Sequence, residues 1–167
     1  MSGGEQDHKQ DHPGVIAPPP LIALASLIVG LLLDWLFPAY LIHVLFSLSS
    51  RLAIGAALFA IGAALAIAGE RTFRRAGTNV MPWKPALRLA TAGIYARVRN
   101  PMYVGLGFMV GGLAVALASD WTLVSLVPAG LILHYGVVLR EERYLESKFG
   151  DDYRRYKEAV PRYGWPL

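Results

Sequence analysis

Hydrophobic residues gather along the chain into four long runs: Leu21–Phe37, Leu52–Gly69, Tyr103–Ser119 and Trp121–Leu139. Each has the ~17–25 residues that a helix needs to cross a bilayer. Pro18-Pro19-Pro20 stands just ahead of the first run, where a proline fits the opening turn without losing a hydrogen bond, and Pro38 stops it. Only Ser119-Asp120 separates the third run from the fourth. The pattern therefore predicts a tight antiparallel hairpin, with Asp120 capping the fourth helix and Trp121 at interface depth. Past Leu139 the period changes. Leu145 and Phe149 lie one turn apart, and beyond Gly150 the residues Tyr153, Tyr156 and Val160 recur at helical spacing until Pro161. A short amphipathic helix with an aromatic stripe and Asp151 as its cap is predicted there.

The expected architecture is all-α and integral to a membrane. Residues 1–19 form a polar tail expected to be disordered. Residues 20–69 hold the first two spans, 70–102 a connection, 103–139 the hairpin of spans, and 140–167 the C-terminal helix and tail. Gly77, Pro82, Pro85 and Gly93 interrupt the connection, which should be loop with at most short helices. The tail does not resemble a cleaved signal, because it is long and acidic and no small-residue cleavage site follows the first apolar run. His8 and His12 are four apart, but in so polar a tail a solvated pair is the better reading than a metal site.

Composition sharpens the class. The chain has 167 residues, 54% of them hydrophobic, with a mean hydropathy of +0.41. Four such runs leave too little polar surface to clothe a soluble bundle. No cysteine is present, which excludes disulfides, cysteine-ligated zinc or iron–sulfur clusters and a cysteine nucleophile. The sixteen Lys and Arg residues are unevenly placed. Arg71, Arg74, Arg75, Lys84, Arg88, Arg97 and Arg99 lie between spans two and three. Arg140, Arg143, Lys148, Arg154, Arg155, Lys157 and Arg162 follow span four, Lys9 is in the tail, and Arg51 alone adjoins the other side. The positive-inside rule then puts both termini and the long connection in the cytoplasm, as an even number of spans requires. These charges belong to the membrane edge and are not read as a nucleic-acid surface.

Candidate chemistry concentrates at one point. In "ARVRNPMYVGLGF" the residues Arg97, Arg99 and Asn100 stand against the start of span three, and Glu141-Glu142 end span four. A short hairpin brings those ends side by side. Pro101 suits the first turn, whose free amides and partial positive charge favour an anionic group. Gly105 and Gly107 leave room for a ligand to approach the backbone. A simpler account also fits: arginines anchored at headgroups, glutamates paired with them, and glycines that permit helix packing.

The order of motifs adds to this. Gly93 and Tyr95, then Arg99–Gly105, Glu141–Leu145 and Phe149–Tyr156 follow the pattern Gly-x-Tyr, Arg-His/Asn-Pro-x-Tyr-x-Gly, Glu-Glu-x-x-Leu, Phe-Gly-x-x-Tyr-x-x-Tyr. From Leu87 to Pro166 the chain resembles the isoprenylcysteine carboxyl methyltransferase and phospholipid methyltransferase superfamily of integral membrane enzymes. The resemblance implies S-adenosylmethionine as cofactor. Its pocket would take Leu87, Arg88, Leu89 and Ala90, then Tyr95, Asn100, Pro101, Met102 and Tyr103, with Glu141; Arg99 is chemically suited to the cofactor's carboxylate. The phospholipid branch would add Gly105, Gly107 and Glu142. The implied partner is a lipophilic methyl acceptor entering from the bilayer, among membrane lipids.

Two departures bear on that acceptor. Asn100 replaces the common histidine and cannot shuttle protons near neutrality. Val137 stands where the prenylcysteine enzymes carry a substrate-binding arginine. His134, inside span four, is the remaining candidate for an acceptor-side base, although a lone intramembrane histidine is more often a packing residue. A prenylated cysteine, an aminophospholipid and a small thiol or other lipophile all remain compatible. Two alternatives from other classes are a non-catalytic membrane scaffold and a relative of the nicotinamide-dependent sterol reductases, whose chains have many more spans.

Overall fold

The structure, a computed structural model, describes residues 11–164. Among them there is no strand. Seven α-helices follow in order: α1 Pro19–Leu36, α2 Leu41–Leu45, α3 Leu48–Ala76, α4 Pro101–Leu117, α5 Asp120–Leu133, α6 Leu139–Phe149 and α7 Asp151–Ala159. A π-helical turn at His134–Val138 joins α5 to α6, so a continuous helix runs Asp120–Phe149. α1, α3 and this long helix each have the length and apolar composition to cross a membrane, and α4 is a 17-residue apolar helix between them. Leu24, Ile28, Leu32 and Trp35 of α1, with Val124, Val127 and Leu131 of α5, are exposed large apolar residues. In water such a surface would be costly; in lipid it is the solvent-facing side. The protein is an all-helical integral membrane protein.

Two helix pairs carry the packing. α3 lies on α4, and α1 lies on α5. Along α3 the buried residues are Arg51, Gly55, Gly62 and Gly69, a stripe of small residues at seven-residue spacing below the arginine. A Cβ placed on Gly55 would meet the Gly112 carbonyl oxygen at 2.6 Å, and one on Gly105 would meet the Gly62 carbonyl oxygen at 2.5 Å. The two backbones touch directly, which is how apolar helices gain contact where lipid gives no hydrophobic drive. Gly105 therefore serves packing and offers no space to a ligand. Gly107 sits on the opposite face with open space around it. Its hydrogens line the lipid side.

Several local expectations need correction. The connection was expected to begin at Glu70, but α3 continues to Ala76, where Gly77 ends it in a left-handed conformation (φ 67°). Thr72 and Phe73 thereby stay helical beneath the loop. Ser119, not Asp120, caps α5, its hydroxyl accepting from Thr122 N–H at 3.3 Å. Asp120 instead caps the unforeseen α2, accepting from the amides of Leu41 (2.8 Å) and Ile42 (3.0 Å). Asp151 likewise does not cap α7: Gly150 holds that position, and the Asp151 carboxylate takes an i,i+3 ion pair with Arg154. Of the tail expected to be disordered, residues 1–10 lie outside the described residues. Residues 11–18 are placed along the long helix. Ile16 donates its N–H to the Gly136 carbonyl at 3.2 Å, and Arg140 donates to the Gly14 carbonyl at 2.8 Å.

The contrast between the two glycines gives a stability test. Gly105→Leu should lower the melting temperature by the equivalent of about 1–3 kcal/mol, the usual range for overpacking. Gly107→Leu should leave it unchanged. A Gly105 variant as stable as the parent would contradict the backbone contact.

Candidate functional site

At the end of the bundle away from α2, the first turn of α4, the start of α6 and the C-terminal tail converge on Glu142. This carboxylate is only 7% exposed. Arg99 Nη1 donates to Glu142 Oε1 at 2.8 Å, while Arg162 donates Nε to Oε1 at 2.7 Å and Nη2 to Oε2 at 2.8 Å. Two guanidiniums on one buried carboxylate, one of them bidentate, make a strong and geometrically specific clamp. The backbone extends it: the amides of Arg99 and Asn100 donate to the carbonyls of Pro161 and Arg162 at 3.0 and 3.2 Å. The Asn100 side-chain amide adds a bond to the Arg162 carbonyl at 3.2 Å. Pro161 and Arg162 are thus fastened beside the helix mouth. Tyr153 is buried against this clamp, and burial pushes its phenol up to about 12, so it stays protonated there.

Glu141, one residue away, has a different environment. Its Oε1 accepts one hydrogen bond, from the Tyr103 hydroxyl at 2.6 Å, and no cation is paired with it among the described residues. The carboxylate faces a cavity of about 440 Å³. That size lies within the usual range for small-molecule sites, ~300–1,000 Å³. Tyr95, held edge-on to Phe73 with ring centroids 5.0 Å apart, forms one wall. Burial pushes its phenol well above the ordinary value, so Tyr95 is a neutral aromatic surface. Ala66, Leu106 and Met109 extend the cavity along α3 and α4 into the apolar part of the bundle. The amides of Met102 and Tyr103 have no intrahelical acceptor in the first turn of α4. Arg99 Nε is a buried donor with no partner. One pocket therefore combines a carboxylate with no cation paired to it among the described residues, an aromatic wall and an apolar extension.

Most of the residues expected in a cofactor pocket meet here. Arg88, Leu89, Ala90, Tyr95, Arg99, Asn100, Met102, Tyr103, Glu141 and Glu142 all line the cavity. Four do not. Leu87 is 61% exposed, and its amide donates to Thr78 Oγ1 at 2.9 Å. Pro101 is fully buried under the first turn. Gly105 and Gly107 lie on packing and lipid faces. His134, expected at the acceptor, also stays outside the cavity and shares a hydrogen bond of 2.7 Å with the Tyr163 hydroxyl. Sequence reasoning missed the loop wall Asn79–Lys84, Ala86, the N-terminal Pro13, Pro19 and Pro20, and Tyr144, Tyr153 and Tyr156. The aromatic stripe of α7 was the available signal for two of these: Tyr156 donates its hydroxyl to the Tyr95 carbonyl at 2.7 Å, bracing that wall.

A membrane-embedded helical bundle with an amphipathic cavity at one end is the class this geometry defines. The phospholipid methyltransferase family model matches residues 50–152. A protein-S-isoprenylcysteine O-methyltransferase of Schizosaccharomyces pombe is 33% identical over 136 residues, covering 78% of this chain and 55% of that protein. An uncharacterized protein of Haemophilus influenzae is 58% identical over 33 residues, covering 20% of this chain and 52% of the relative. The chain thus spans about half the length of the curated relatives it matches. No solved structure matches it. The chain belongs to the phospholipid methyltransferase family.

The two glutamates should separate in stability. Glu142→Gln leaves Arg99 buried without its counter-charge and should destabilise the protein by about 3–5 kcal/mol, read as a fall in melting temperature. Glu141→Gln removes no ion pair and should shift it little. Equal effects would contradict the division seen in the contacts.

Proposed function

We propose that the protein is an S-adenosylmethionine-dependent methyltransferase whose acceptor is lipophilic and reaches the cavity from the bilayer. The carrying observation is the buried Glu141 carboxylate, with no cation paired to it among the described residues, at a cavity whose walls are aromatic and apolar. S-adenosylmethionine bears an ammonium and a carboxylate together, with an adenine that needs a flat apolar wall. The residues present fit such a molecule. Glu141 and the Tyr103 hydroxyl would hold its cationic or hydroxyl groups; the free amides of Met102 and Tyr103 at the start of α4, with the Arg99 charge nearby, would favour its carboxylate. Tyr95 and the apolar walls would take the adenine.

When bound, this cofactor supplies a methyl group on a positively charged sulfur. The chain's own contribution is positioning: holding donor and acceptor at reactive distance and excluding water, which can lower a barrier by ~7–11 kcal/mol. Glu142, through Arg99 and Arg162, fixes the helix mouth so that Glu141 keeps its aim. A carboxylate or thiolate acceptor needs no general base; Asn100 lines the cavity but its amide cannot take up a proton near neutrality, and His134 lies outside the cavity. The apolar extension past Leu106 and Met109 is where an acceptor's hydrocarbon would lie.

The concentration of basic residues around the cavity supports a cytoplasmic position for it. Since the chain contains no cysteine, single cysteines report topology cleanly. One introduced at Gly77 should be shielded from an impermeant reagent in intact cells, and one at Tyr40 should react. The reverse pattern would overturn the orientation. Function is tested by incubating the purified protein with methyl-labelled S-adenosylmethionine and total membrane lipid, then identifying the product. Label in a lipid or lipidated species is expected. Binding without transfer would favour a scaffold, and no binding would remove the cofactor assignment.

A further inference from the structure

Two walls of the cavity are not helices. One is the segment 11–18, which brings Pro13 to the cavity edge; the other is the loop 77–92, which contributes Asn79 to Lys84 and Ala86. The loop is tied up mainly with itself: Asn79 Nδ2 donates to the Pro85 carbonyl at 2.8 Å, and Thr78 Oγ1 accepts from the amides of Leu87 (2.9 Å) and Arg88 (3.2 Å). Among the described residues, one hydrogen bond joins this loop to the long helix, from Ala86 N–H to the Tyr144 hydroxyl at 3.0 Å. The same hydroxyl donates to Asp11 Oδ1 at 2.8 Å, and Lys148 Nζ donates to it at 3.0 Å while gripping both Asp11 oxygens at 2.6 and 2.8 Å.

A phenol has one proton to give and two lone pairs to receive, so the Tyr144 hydroxyl is saturated. We propose that Tyr144 is a positioning residue that latches both non-helical walls, the 11–18 segment and the 77–92 loop, shut over the cavity. The inference deepens the methyltransferase reading and rests on it for the consequence of closure. A group transfer in a cavity open to lipid headgroups and water needs its walls held, and closure also retains the bound cofactor. The rest of the segment's contacts agree with a strap laid along one helix face. Its successive anchor points are Gly136, Arg140, Tyr144 and Lys148, each four residues apart. Ile16 fills the notch over Gly136, where a Cβ would collide with it. Among the described residues, the hydrogen bonds at Gly136 and Arg140 do not reach the loop, whereas those of Tyr144 reach both walls.

The test uses the full chain, whose lack of cysteine lets spin labels be placed in pairs. Labels on His12→Cys and Ser147→Cys report the strap, and labels on Lys84→Cys and Ser147→Cys report the loop. In cofactor-free protein both distance distributions should be narrow. Tyr144→Phe keeps the ring and removes only the hydroxyl, so both should broaden with the melting temperature unchanged. Lys148→Ala should broaden the strap pair alone. In the binding assay Tyr144→Phe should raise the S-adenosylmethionine dissociation rate by about three- to tenfold, in keeping with one or two lost hydrogen bonds. Narrow distributions in Tyr144→Phe would overturn the latch, as would broadening with an unaltered dissociation rate. Should the parent protein bind no S-adenosylmethionine, the methyltransferase reading fails by itself, while the distances still decide whether Tyr144 holds the walls.

Discussion

One buried carboxylate organises the working end of this protein. Glu142 accepts Arg99 from the mouth of α4 and Arg162 from the C-terminal tail, so three chain segments far apart in sequence are fixed by a single ionic node. A charge so buried is sustained only when it is paired and its hydrogen bonds are satisfied. That condition, once met, sets the rest. The clamp orients the first turn of α6, and Glu141 then lies on the neighbouring face, aimed at the cavity and reached by Tyr103. Adjacent residues of the same type thus acquire different duties from their position on the helix.

The packing of the spans supports the same end. Gly55 and Gly62 let α3 lie backbone to backbone on α4, and Gly69 leaves room for the Met102 side chain beside the Tyr95 hydroxyl. The length of α3 matters too. By running on to Ala76 it carries Phe73 beyond the apolar core and under the cavity wall. At the opposite end, Asp34 receives the Ser119 hydroxyl and the Trp121 amide while Asp120 caps α2, so each corner of the hairpin region is closed by a carboxylate.

Much of this was legible in the sequence, and the limits have physical causes. The four apolar runs were unmistakable because lipid demands long uninterrupted helices. Arg99, Asn100, Glu141 and Glu142 could be expected to meet because a two-residue hairpin brings their helix ends together, and they do line one cavity. The roles of the two glutamates were not separable, since which carboxylate faces the tail depends on where Arg162 arrives after the turn at Gly150. Gly105 illustrates the opposite error. A glycine one turn into a helix beside a ligand motif reads as space for the ligand, yet its face is set by the Gly62 stripe on another helix. The strap of residues 11–18 was missed because its bonds run through backbone groups and through Asp11, in a stretch whose composition suggests solvent. Tyr144 was missed because nothing in its spacing distinguishes it from the packing tyrosines.

The central claim is that Glu141 meets the ligand and Glu142 holds the frame. Its most direct measurement is S-adenosylmethionine affinity for Glu141→Gln and Glu142→Gln, taken by calorimetry well below the melting temperature of both. The account predicts a loss of at least tenfold for Glu141→Gln, in line with about 1.5–3 kcal/mol for a hydrogen bond to a charged group. It predicts a much smaller loss for folded Glu142→Gln. Normal affinity in Glu141→Gln beside a large loss in folded Glu142→Gln would contradict it.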